Sequence, residues 1–317
     1  MTRGHSVTNY RFSGHETFPC RYAWLPKAYR GIREDRMLFS DEEKAMAALG
    51  VGKNMVRAMR FWVCAAGIAE SAKSGGAVVT AFGNALLDPE KGADAFLEDR
   101  KTLWLLHWQL STQVQEPLFA WDYLLNQWPH PEITRSSVLR EFSEQAKRLE
   151  RKLSSVTLEQ HYDTFLHTYV PTRSKKGDIQ EDNLDCPLVE LELILRLGDR
   201  ESGGKGRREP IYAFRRDSKN DISPRLFAFC LDDFWRKRRP NESTLTFRDV
   251  AIGQGSPGQI FKLPESDIRM RLDTIQSDTD GMFHFEETAA LQRVIRKRVS
   301  APISMFRAIF DCEDADA

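Results

Sequence analysis

The chain has no apolar run approaching the length needed to span a bilayer. Its longest stretches, such as Leu103 to Leu106 and Leu193 to Leu195, are a handful of residues, so a transmembrane helix is excluded as an expectation. The opening Met1-Thr2-Arg3-Gly4-His5-Ser6 lacks the apolar core of a secretory leader, and a soluble, cytoplasmic protein is expected. Net charge is also missing: 46 basic residues balance 46 acidic ones over 317 positions. Any surface for a polyanion must therefore come from local segregation of charge. The five cysteines (Cys20, Cys64, Cys186, Cys230 and Cys312) are scattered. No pair has the spacing of a zinc knuckle, which predicts reduced, buried thiols and no structural zinc.

The stretch Asp41 to Leu87 reads as a winged helix-turn-helix. Asp41 caps a first helix, Gly50 and Gly52 supply the turn, and a second helix starts near Lys53 with Lys53, Asn54, Arg57 and Arg60 on offer to a DNA groove. Gly75-Gly76, Val78 to Thr80 and a bend at Gly83 stand where a wing belongs. Gly50-Val51-Gly52-Lys53-Asn54 is not a nucleotide loop, because Ala47 and Asn54 replace the required Gly and Ser/Thr. No nucleotide cofactor is expected. The competing reading of the whole stretch is a packed helical hairpin with solvated cations.

Ahead of it, Phe12-Ser13-Gly14-His15-Glu16-Thr17-Phe18-Pro19 and Arg21 to Tyr29 crowd aromatic, cationic and titratable groups together. His15 and Glu16 suit proton transfer, and Arg21 and Lys27 suit a backbone phosphate; a segment that merely packs on the first domain is the plain alternative. Between Pro89 and Gln127 apolar residues cover more than one helix face, so Trp104, Trp108, Trp121 and Trp128 are read as core and His107 as a satisfied core histidine. Pro129-His130-Pro131 marks a boundary. Helices follow over Glu132 to Leu153 and Thr157 to Tyr169.

Arg173, Lys175 and Lys176 form a basic loop just before an acidic patch, Asp178, Glu181, Asp182 and Asp185. Asp182 and Asp185 either hold Mg or Mn against a scissile phosphate or, for Asp185, cap a helix carrying Pro187 in its first turn. Arg207 and Arg208 follow in a Gly-rich basic loop leading into a strand at Ile211 to Arg216. The last third reads as a second winged helix: helices over Pro224 to Arg238, Thr244 to Ala251 and Glu265 to Ile275, the last with Arg269 and Arg271, then a hairpin around Phe283 and Val294.

The fold class expected is mainly α with small β wings, in four parts: an N-terminal segment (1–30), a winged and helical domain (31–128), a helical middle (129–198) and a C-terminal winged-helix-like domain (199–317). Three runs, Gly14-His15-Glu16-Thr17-Phe18-Pro19-Cys20-Arg21-Tyr22-Ala23-Trp24-Leu25, Leu49 to Arg57 and Gly255-Ser256-Pro257-Gly258-Gln259-Ile260-Phe261-Lys262-Leu263, resemble the SspB family. The resemblance implies the DNA-nicking component of the bacterial Ssp system, which places phosphorothioates in one DNA strand as antiphage defence beside a cysteine desulfurase, an ATPase and a reductase-like protein. Duplex DNA is then the expected substrate, with a homodimer on a pseudo-symmetric site left open. A non-catalytic DNA-docking or regulatory protein is the alternative.

Overall fold

The structure is a computed structural model that describes residues 9–72, 76–171, 186–201, 208–288 and 291–311. Helix α1 (Trp24–Glu34) packs on α2 (Glu42–Leu49) and α3 (Lys53–Ala65). The boundaries of this trio follow from chemistry already visible in the sequence. Asp41 accepts from the Glu43 and Lys44 amides to start α2, and Gly50 at φ 62° ends it in the left-handed conformation that favours glycine. Strands β1 (Ala69–Ser71) and β2 (Ala77–Val79) pair antiparallel directly after α3.

Gly83 departs from expectation. It lies inside α4 (Ala81–Leu87), started by Thr80, instead of closing a bend. A Cβ there would stand 2.2 Å from the Ile68 carbonyl oxygen, so the missing side chain lets α4 rest on the end of the α3–β1 turn.

Helix α5 (Arg100–Ser111) begins only at its Asp99 cap and is buried on nearly every side, as its unbroken apolar pattern requires. Trp104, Trp108 and Trp121 are fully buried, and His107 is satisfied by the Tyr169 hydroxyl at 2.8 Å and the Ile260 carbonyl at 3.1 Å. After α6 (Phe119–Asp122) the chain makes one π turn, Tyr123–Gln127, then α7 (Arg135–Arg148) and α8 (Ser155–Tyr169). Cys186, not a carboxylate, occupies the cap position of the short 3-10 helix Pro187–Leu191. The ribbon β3 (Ile194–Glu201) and β4 (Arg208–Phe214) follows. Strand β3 was not foreseen, because its bulge at Gly198 and its charged residues break the alternation.

Helix α9 (Pro224–Arg238) has the expected bounds. The expected helix at Thr244 divides into strand β5 (Thr244–Thr246) and helix α10 (Phe247–Ile252), joined by a Thr246–Asp249 capping box. Then come α11 (Pro257–Phe261), α12 (Glu265–Asp278), β6 (Phe283–Glu287), β7 (Gln292–Arg296) and α13 (Pro302–Ala308), with sheet order β5-β7-β6. The fold is mainly helical with small antiparallel sheets. One apolar cluster runs from Phe12 to Ile309 through residues of all four sequence-defined parts.

The halves meet at the π turn. Buried Asp122 accepts from the Tyr10 hydroxyl (2.7 Å), Asn126 Nδ2 (3.1 Å), Gln127 Nε2 (2.9 Å) and Gln254 Nε2 (3.3 Å). The freed Leu125 carbonyl accepts from Gln259 Nε2 at 2.8 Å and from Lys262 Nζ. Gly255 donates its amide to Asn126 Oδ1 at 2.8 Å.

Gly258 lets α11 pack on α10 and α12 beside this junction, since a Cβ would meet Ala251 O at 2.3 Å and Ile268 Cδ1 at 2.6 Å. Gly258→Ala should lower unfolding free energy by about 1–3 kcal/mol, the usual cost of overpacking. Urea denaturation checks this, and an unchanged midpoint would show that the junction tolerates a methyl group.

Candidate nucleic-acid interface

Along α3 the buried side is Val56, Met59, Phe61, Trp62 and Val63, while Lys53, Asn54, Arg57 and Arg60 face outward, at the positions a groove-reading helix would use. Their charge is not all free. Lys53 Nζ lies 2.9 Å from Glu42 Oε2 and Arg57 Nε 2.6 Å from Glu42 Oε1. The two cations hold the Glu42 carboxyl down at about 2, the hydrogen bond from Arg57 contributing most. Arg60 makes no ion pair among the described residues.

The loop carrying His15 and Glu16 lies beside the start of this helix. Gly14 (φ 108°), Glu16 (φ 50°) and Thr17 (φ 65°) all take positive φ, a conformation that costs side-chain-bearing residues energy and that surrounding contacts must hold. Those contacts are internal. His15 is only 3 % exposed, stacked on His161 of α8 and edge-on to Phe61. His15 Nε2 is 3.1 Å from His161 Nδ1, and the Ala120 amide donates to His161 Nε2 at 3.0 Å.

That amide sets the tautomers. A neutral His161 that accepts at Nε2 carries its proton on Nδ1 and donates it to His15 Nε2. His15 then holds its proton on Nδ1, 3.1 Å from Thr164 Oγ1, whose hydroxyl donates to Gln160 O at 2.9 Å. The Thr17 amide N–H is turned into the loop and also faces this Nδ1, at 3.2 Å. His15 is thus no idle polar residue: it is the peg that seats the loop. This role is not legible from neighbouring residues, because His161 lies 146 positions away.

Residues 12–17, Asn54, Thr157 and Gln160 enclose a cleft of about 300 Å³. Half-buried Glu16 is its carboxylate, close enough for its charge to act on Arg57. A larger cleft of about 540 Å³ lies between α1 and α2, but there Lys27, Arg30 and Lys44 are interleaved with Glu34, Asp35 and Asp41.

The other expected contacts are dispersed. Lys27 Nζ donates to the Leu49 carbonyl at 2.9 Å, completing the end of α2, and Arg21 lies over the Trp24 ring. Arg208 is exposed at the start of β4. Arg269 pairs with Glu287 and covers Phe247. Arg271 corrects the expectation outright. Its side chain is 9 % exposed, paired with Asp267 at 2.6 Å, and donates to the carbonyls of Ile222 and Lys219, so it braces the fold and faces no ligand. Asp182, Asp185, Arg173, Lys175, Lys176 and Arg207 lie outside the described residues. Among the described residues no three His, Cys, Asp or Glu side chains gather to hold a metal. Cys20, Cys186 and Cys230 are buried, and burial pushes the Cys20 and Cys230 thiols up; Cys64 is half-buried, its thiol also raised by burial.

Burial lowers His15 to about 4, with the charge of Arg11 adding to the effect, and lowers His161 well below its ordinary value. Both are neutral at pH 7. Unfolded histidine titrates near 6.5, so between about 6.5 and 4 the unfolded chain binds more protons, and the stability supplied by the pair is lost as pH falls. Thermal melts should show a declining midpoint across this window. His161→Gln should flatten the decline; an equal pH dependence in both proteins would remove the pair as its source.

A magnesium ion-bound SspB crystal structure matches with TM-score 0.81 and 24 % identity, covering 97 % of this chain and 89 % of that one. A second SspB crystal structure matches with TM-score 0.79 and 25 % identity, covering 96 % and 88 %. No curated protein matches. The resemblance to SspB is therefore one of fold over nearly the whole length. A family model matches residues 12–307, loop, α3, π turn and C-terminal sheet included, and on that match the chain belongs to the family described as "Protein of unknown function (DUF4007)".

Proposed function

We propose that this protein binds duplex DNA and nicks one strand during phosphorothioate installation, as the DNA-nicking component of an Ssp-type system in the bacterial cytoplasm. The observation that carries the reading is the adjacency of the outward stripe Lys53, Asn54, Arg57 and Arg60 to the cleft holding Glu16. Read functionally, α2 and α3 are a helix-turn-helix and β1–β2 its wing. The sheet order β5-β7-β6 behind α10 and α12 suits a second winged unit, whose Arg269 is paired with Glu287 at the surface and whose Arg271 is paired inside the protein. Partners consistent with this role are a cysteine desulfurase, an ATPase and a reductase-like protein.

A duplex phosphate entering the cleft would meet the open N-terminal turn of α3, which has no side-chain cap. Glu16 is the group presented to the reacting phosphodiester, to orient or deprotonate the attacking water. His15, neutral and engaged at both nitrogens, keeps Glu16 in place. Mg or Mn would lower the charge on that phosphate. Glu16 alone among the described residues is no cage for such an ion, and Asp182 and Asp185 stand as the second acidic candidates. No step is assigned to the metal.

Nicking of supercoiled plasmid in Mg or Mn tests the chemistry. Glu16→Gln should abolish nicking with DNA affinity retained. Persistence of nicking in Glu16→Gln would move the chemistry to the Asp182–Asp185 patch, and a wild-type chain that binds without nicking would make it a docking protein. A second prediction concerns Glu42. Because it neutralises part of the α3 charge, Glu42→Gln should tighten duplex binding and steepen its salt dependence by about one counterion, whereas Lys53→Ala with Arg57→Ala should weaken and flatten it. Fluorescence anisotropy across a salt series reads both, and unchanged curves would take α3 out of the interface.

A further inference from the structure

Beside α3 one cation has no anion to answer it among the described residues and is nevertheless held in place. Lys53 and Arg57 share Glu42, and Arg60 extends into solvent. Arg11 differs from all three. It is half-buried, with its guanidinium carbon 4.6 Å from the centre of the Phe61 ring, one residue along α3 from Arg60. Its backbone is fixed at both polar groups: the amide donates to Pro117 O at 3.0 Å and the carbonyl accepts from Phe119 N at 3.1 Å. Among the described residues its guanidinium meets no carboxylate.

Gly14 makes room for it. A Cβ on Gly14 would approach Phe61 Cδ2 to 2.9 Å and Arg11 Nη2 to 3.6 Å, so the loop crosses the guanidinium with no side chain between. The charge is felt locally, since it helps to keep neighbouring His15 neutral and acts together with Arg60 on Cys64. A ring face compensates a partly desolvated guanidinium only in part, whereas a phosphate accepts two of its N–H groups at once. A pre-positioned cation lacking an internal anion is a seat for an external one.

We propose that Arg11 binds a backbone phosphate of the duplex lying along α3, next to the phosphate that enters the Glu16 cleft. The inference rests on the DNA-binding reading above and adds a contact that the sequence did not suggest. It is tested with the full chain and a short DNA duplex, by anisotropy over a sodium chloride series alongside thermal melts. Arg11→Met keeps an unbranched stem on Phe61 but removes the charge, and Arg11→Lys keeps the charge but not the fork. Arg11→Met should weaken binding about tenfold and reduce the log–log salt slope by about one, with Arg11→Lys restoring the slope and only part of the affinity. Wild-type affinity and slope in Arg11→Met would overturn the proposal. So would weaker binding with an unchanged slope and a lowered melting point, which would mark Arg11 as packing alone. A wild-type chain with no salt-sensitive binding would overturn the DNA reading itself, and this contact with it.

Discussion

The buried carboxylate of Asp122 is the point on which the arrangement turns. It accepts from Tyr10 in the N-terminal segment, from Asn126 and Gln127 in the π turn, and from Gln254 in the C-terminal part. A carboxylate out of water requires such donors, since leaving one unsatisfied costs about 1–3 kcal/mol and more for a charged group. Each donor is therefore held in place by the need of the others. The segment leading to His15 is anchored by the same group that holds the turn between α10 and α11, so the cleft and the C-terminal part belong to one packed body.

Much of the framework was legible in the sequence because local chemistry dictates it. Asp41, Gly50 and the Ser223-Pro224 start are cap signals that act within a few residues, and they place α2 and α9 where the chain folds them. His107 among apolar neighbours was readable as a satisfied core histidine. Contacts distant in sequence were not readable. His15 looked reactive because its partners His161 and Thr164 come from a helix far along the chain. Arg271 looked available because the carbonyls it binds, at Lys219 and Ile222, lie about fifty positions upstream. Strand β3 was hidden by its own bulge.

Zero net charge hides a deliberate distribution. On α3 two cations are tempered by Glu42, while Arg11 and Arg60 are not. In the proposed function, binding to DNA would begin as an exchange, in which phosphates compete with an internal carboxylate for the same guanidinium and ammonium groups. Such a surface would discriminate against weak, nonspecific attraction, because loose contacts do not outcompete a bidentate partner already in place.

The π turn at Tyr123–Gln127 amounts to one residue more than an α-helical turn would use. Leu125 stands in the last turn before the chain leaves the helix at Trp128, and the residue four positions on, Pro129, has no N–H to offer, so the Leu125 carbonyl is answered by Gln259 and Lys262 instead. The proline that ends the helix is thus what leaves this carbonyl to the C-terminal part, and a residue with an N–H at position 129 would offer it a competing local partner.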